Sequence, residues 1–170
     1  MAENPGEGSG IFLLPPPFHR MTMNLVDLQT EAFRLFPLAT AQALDQPGER
    51  NAPLVTLKAL CWQHFTALGF RCMADCFDAV VPRVRGRLSL DAWCTAELTV
   101  SPWKFRVDCR PFWLGSDQVH FAIHHEGPLP GVTETGYRSI FAPVSMFGDG
   151  TTPEEHIRGM FPQTAQMCLF

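Results

Sequence analysis

Two runs of apolar/polar alternation constrain this chain more than any other feature. In Trp103-Lys-Phe-Arg-Val-Asp-Cys-Arg110 the period is strictly two, and Gln118-Val-His-Phe-Ala-Ile-His124 is a second such run. Successive side chains of a strand point to opposite faces, so these runs read as half-buried strands that pair as a hairpin. A three-residue loop, Gly115-Ser116-Asp117, keeps every face consistent. It sets Trp113 opposite Val119, Phe112 opposite His120, Arg110 opposite Ala122, Asp108 opposite His124 and Arg106 opposite Glu126. Pro111 has no N–H to give a ladder and belongs at an edge or a bulge.

The rest of the chain supplies helices to cover one face of that hairpin. Asn24 is a helix cap with Asp27 at the third helical position, and Leu25, Leu28, Ala32 and Leu35 form one stripe with Phe36 beside it. Pro37 is expected to end or kink this helix, with a short apolar continuation from Leu38 to Leu44. Leu54 to Val81 reads as mainly helical and divided at Gly69, although Val55 and Leu57 alternate well enough for a strand start. Beyond Pro82 the period drops to two at Arg83, Arg85 and Arg87, and the β-formers of residues 92–100 favour a further strand. A last short strand falls at Tyr137 to Phe141. Thr152-Pro-Glu-Glu155 is a capping box that opens a final helix, stopped by Pro162.

This order of elements predicts an α+β fold: N-terminal helices packed on a small antiparallel sheet, with a short C-terminal helix. A length of 170 residues with 46% hydrophobic content suits a single domain over 21–170. Residues 1–20 read as an extended or flexible arm. The 15 prolines favour long connections, and most of the 14 phenylalanines fall on inward positions. There is no internal repeat and no heptad pattern. The start MAENPGEGSG lacks a basic region and the apolar tetrapeptide after it breaks at Pro15, so neither a signal peptide nor a membrane span is expected. A cytoplasmic protein with reduced cysteines follows as the expectation; Cys61, Cys72 and Cys76 sit on apolar stripes.

Net charge is −4, from 13 basic and 17 acidic side chains, which excludes a general polybasic coat. Locally the balance differs. Lys104, Arg106, Asp108, Arg110, His120 and His124 share the polar face of the hairpin, and Arg83, Arg85 and Arg87 make a basic row. With Arg138 these are the candidate binding residues. Asp108 beside His124 resembles the carboxylate–imidazole half of a triad, but no nucleophile accompanies it, and no catalytic residue is assigned. His120, His124, His125 and Glu126 have metal-ligand chemistry, yet His124 and His125 face opposite sides of a strand; no metal and no cofactor are assigned. Trp103 and Phe105 interleave with Lys104 and Arg106 as in single-strand binders, but alternation sends them to the opposite face, toward the core.

The segment Thr135-Gly-Tyr-Arg-Ser-Ile-Phe141, with the Thr152 helix and Ile157-Arg158 after it, resembles a motif near the C-terminus of small proteins of bacterial plasmids and phages. Ile140 stands where a His often stands in them. The resemblance implies a mobile-element setting and no activity. A non-enzymatic interaction protein is therefore the expectation, in the manner of a mobile-element accessory or anti-defence inhibitor, with a protein partner favoured. The alternatives are nucleic-acid binding through the Arg83/Arg85/Arg87 row and a small metal-dependent enzyme centred on Asp108, His120 and His124.

Overall fold

Asn24 caps the first helix as its sequence requires: its side chain accepts from the Asp27 amide at 2.9 Å, and Asp27 accepts from the Asn24 amide. The computed structural model describes residues 23–161, so the arm at 1–20, the Pro162 stop and Cys168 lie outside the described residues. Helix α1 spans Leu25–Asp45 and passes through Pro37 without ending there. A proline inside a helix removes one backbone bond and costs about 3 kcal/mol. Tertiary anchors beyond it offset that cost: the Thr40 hydroxyl donates to the Leu90 carbonyl, Asn51 donates to the Ala39 carbonyl, and both Ala39 and Thr40 are buried.

Asn51 also caps α2 (Ala52–His64) by accepting from the Leu54 amide, so one side chain fixes the α1–α2 turn. This start is helical, which removes the strand alternative at Val55 and Leu57. Gly69, at φ +81°, lies in the break before α3 (Met73–Val80). The sheet follows as β1 (Arg83–Arg85), β2 (Trp93–Val100), β3 (Trp103–Arg110), β4 (Gln118–His124) and β5 (Tyr137–Pro143), lying side by side in chain order. Only β1 with β2 is parallel; the other neighbours are antiparallel. Helix α4 (Pro153–Gly159) closes the described chain behind its Thr152–Glu155 capping box.

Alternation decides which face of the sheet meets the helices. Ala96, Leu98, Phe105, Val107, Cys109, Val119, Phe121 and Ile123 point inward and join Leu28, Phe36, Leu57, Phe77 and Ile157 in one core. The five described cysteines are free; burial raises the thiol pKa of Cys61, Cys76, Cys94 and Cys109, the opposite of what a reactive thiolate needs. Not every phenylalanine is core: Phe33 and Phe141 are exposed.

The hairpin register differs from the expected one by two residues. Arg106 pairs with His124, Asp108 with Ala122 and Arg110 with His120. A shift of two keeps each side chain on its face, so the polar face survives while its cross-strand neighbours change. The cause lies between the strands. After Pro111 the backbone turns left-handed at Phe112 (φ 53°) and Leu114 (φ 52°), building a short 3₁₀ turn at Trp113–Gly115. Phe112 is thereby buried edge-on against Phe36, and Trp113 leaves the expected inward position opposite Val119.

Candidate functional site

The face of the sheet turned away from the helices is organised in rows that cross the strands. In one row Arg83 of β1 stands beside Trp93 of β2, whose neighbour on β3 is Arg110, followed by His120 and Phe141. Cations and rings alternate along it. The Arg83 guanidinium lies 5.2 Å from the Trp93 ring centre, and Arg110 lies 5.6 Å from Trp93 and 5.1 Å from Trp113. His120 stacks on Phe141 at 4.7 Å and meets Trp113 at 4.8 Å. Such contacts place a guanidinium over a ring, and each contributes about 0.5–1 kcal/mol at an exposed position.

A second row carries Glu97, Arg106, His124 and Tyr137. Here the charges are mutually engaged. Lys104 reaches Glu97 at 2.7 Å, Arg106 lies 3.5 Å from Asp108, and the His124 ring stands 3.3 Å from Asp108 and 5.2 Å from Tyr137. The contact of His124 with Asp108 has ion-pair distance but lacks hydrogen-bond alignment. Between the two rows runs a third made of short side chains: Thr95, Asp108, Ala122 and Ser139, with Arg85 at the β1 end. Four residues of strand separate the outer rows, about 13 Å at 3.3 Å per residue. The result is a shallow trough with small residues on its floor. Thr95 donates to Asp108 at 3.0 Å, and Ser139 lies 2.6 Å from the His120 ring nitrogen.

At the β1 end the trough deepens into a cleft of about 290 Å³ lined by Arg83, Arg85, Trp93, Thr95, Asp108 and Arg110. Among the described residues no carboxylate lies within ion-pair distance of Arg83, Arg85 or Arg110. Arg110 and Arg83 also act on Asp78. Burial raises its carboxyl pKa, against the pull of Arg110 and Arg83, and Arg83 holds its backbone carbonyl rather than its side chain. Burial, aided by the Arg110 charge and opposed by Asp108, lowers the pKa of His120 and favours its neutral ring.

The sheet brings together Arg83, Arg85, Lys104, Arg106, Asp108, Arg110, His120 and His124. It does not bring Arg87 or Arg138. Strand β1 ends at Arg85 because Gly86 takes φ +102°, and Arg87 lines a separate depression with Leu44, Leu90 and Thr152. Arg138 sits on the other face of β5 and donates to the Val132 carbonyl. The metal-dependent alternative is not assembled either. His120 turns to Ser139, Phe141 and Trp113, His125 bonds the Gly127 carbonyl, and no three His, Cys, Asp or Glu side chains converge among the described residues. No helix of the described residues is long and apolar enough to cross a membrane.

Trp93, Trp113, Tyr137 and Phe141 join the face without having been singled out from sequence. Their signal was present for β5, where Tyr137, Ser139 and Phe141 alternate with Arg138, but only the β4–β5 register places those rings on His124 and His120. Trp103 and Phe105 lie as alternation predicts, against Phe161 on the core side. No curated protein and no solved structure matches the chain. Residues 94–167, from β2 to beyond α4 and containing the Thr135–Phe141 segment, are similar to the KlcB third domain, whose family model matches them.

Proposed function

We propose that this chain is a non-enzymatic interaction protein that holds an anionic macromolecular partner on the open face of its sheet. One observation carries the reading: Arg83, Arg85 and Arg110 line one cleft and none of them is ion-paired among the described residues, while the cleft's carboxylate, Asp108, is engaged by Arg106, and Glu97 by Lys104. Desolvating unpaired guanidinium groups is favourable only when a partner supplies the oxyanions. The face is open rather than enclosed, which suits a large partner better than a small substrate. Its setting would be the cytoplasm of a bacterium carrying a plasmid or phage, where an accessory or anti-defence inhibitor acts by occupying its target.

Co-purification from a bacterial host tests this, comparing the wild-type chain with the double variant Arg85→Glu/Arg110→Glu. Both residues lie outside the core, and circular dichroism of the variant checks that the fold is kept. A stoichiometric partner held by the wild type and released by the variant is the expected result. A partner retained by the variant, or none on the wild type, overturns the reading.

A further inference from the structure

The trough has a second property that charge alone does not explain. Both of its walls end on β5 in an aromatic ring half open to solvent, Phe141 at 55% and Tyr137 at 50% exposure. Each ring lies against an imidazole of β4, and each imidazole neighbours an arginine of β3: Phe141, His120, Arg110 in one wall and Tyr137, His124, Arg106 in the other. The Phe141 ring lies nearly parallel to His120, at 19°, while Tyr137 is tilted by 55° from His124. Arg106 is held by Asp108, so the unpaired cation is Arg110, two strands from Phe141, about 10 Å at a strand spacing of 4.8 Å. A flat π surface at one side and a fixed cation at the other is the pairing a nucleotide needs, with a base to stack and a phosphate to neutralise.

We infer that the trough takes a single-stranded nucleic acid, with bases stacked on Phe141 and Tyr137 and backbone phosphates held by Arg85, Arg110 and Arg83. This rests on the open face being the docking surface and deepens that reading by naming the partner. Three features favour it over an acidic protein surface. The charges without a carboxylate are arginines, two of which, Arg83 and Arg110, lie over Trp93 and Trp113, and a guanidinium can meet phosphate with two N–H groups rather than as a point charge. The floor is made of Thr95, Asp108, Ala122 and Ser139, short enough to leave depth for a backbone. Rings of Phe141 and Tyr137 that make no contribution to the core offer faces that only unpaired bases can use, so a duplex is excluded from the stacking part of the site.

Fluorescence anisotropy of the full chain tests this with three labelled probes: a 15-nucleotide single strand of randomised sequence, the corresponding duplex, and a polyglutamate peptide. The single strand is expected to bind at least ten-fold more tightly than the duplex. Phe141→Ala and Tyr137→Ala are each expected to weaken it roughly five-fold or more, with an unchanged slope of log affinity against log salt. Arg85→Gln is expected to flatten that slope by about 0.7, one phosphate contact. Phe33→Ala, at an exposed ring on α1, leaves affinity unchanged. Equal affinity for duplex and single strand, or no effect of either aromatic variant, overturns the single-strand assignment. Binding of polyglutamate but not of the oligonucleotide, with loss in Arg85→Gln, also overturns it while leaving the docking face standing. Binding of the single strand that survives Arg85→Gln and both aromatic variants refutes the trough itself.

Discussion

The turn that carries Trp113 into the site is the part of the structure most open to a sharp stability test. Leu114 sits at φ 52°, ψ 30° with about half of its side chain exposed. A residue with a Cβ costs roughly 1–2 kcal/mol in that left-handed region, and glycine avoids the cost. At an ordinary position alanine is favoured over glycine by about 0.5–1 kcal/mol, because glycine gains more freedom on unfolding. Subtracting the second effect from the first leaves Leu114→Gly more stable than Leu114→Ala by about 0.75 kcal/mol at the midpoints of the two ranges and by about 1.5 kcal/mol at most. Comparing these two variants, rather than either with the wild type, cancels the loss of the leucine side chain. Urea unfolding midpoints measure the difference, with a shift of about 1–4 °C in Tm as the thermal counterpart. Ser116, at φ −93°, is the control position, where alanine is expected to be the more stable. The same inversion is expected at Phe112, superimposed on the about 3–5 kcal/mol lost with its buried ring. Alanine more stable than glycine at Leu114 would refute the left-handed turn, and with it the placement of Trp113 against Arg110 and His120.

Other positions make independent demands. Thr152→Ala removes the α4 cap, with a loss of about 1 kcal/mol expected in chemical denaturation. A Cβ at Gly136 (φ +82°) would collide with the His125 carbonyl, the residue whose amide Gly136 itself accepts, so Gly136→Ala is expected to cost at least ~2 kcal/mol and to loosen β5 in hydrogen exchange. The folded-state pKa of His120 lies below its ordinary 6.5, because burial and then Arg110 disfavour the imidazolium. The unfolded chain therefore binds the proton more readily, and the stability this group contributes is present above pH 6.5 and lost as pH falls toward the lowered value. His120→Gln is expected to show a weaker loss of stability between about pH 6.5 and 5 than the wild type; identical pH profiles would contradict the burial of His120.

What could be read in the sequence follows a physical division. Strand β3 was legible because one of its faces is buried and the other is not, which writes a period of two into the residues; β4 kept that period in His120 and His124 although its inner residues are buried on both faces. The caps at Asn24 and Thr152 were legible because the signal is local and the geometry is the same in every helix. The register of the hairpin was not. It depends on a turn in which Phe112 and Leu114, neither of them turn formers by composition, are held left-handed by the burial of the Phe112 ring against Phe36. The passage of α1 through Pro37 likewise depends on Leu90 and Asn51, contacts distant in sequence. For the site, the charged members of the polar face followed from alternation alone. Their grouping into rows, the separation of Arg87 from Arg83 and Arg85, and the addition of Trp93, Trp113, Tyr137 and Phe141 follow only from how five strands stand beside one another.

Mapping a bound partner onto the chain by amide chemical shifts tests the central claim most directly. With the randomised single strand added to the labelled full chain, the account predicts perturbations at Arg83–Arg85, Thr95, Arg106–Arg110, His120–His124 and Tyr137–Phe141, while the exposed flank of α1 and α2 around Phe33 and Trp62 stays silent. Perturbations centred on Phe33 and Trp62, with the rows of the sheet unmoved, would contradict it.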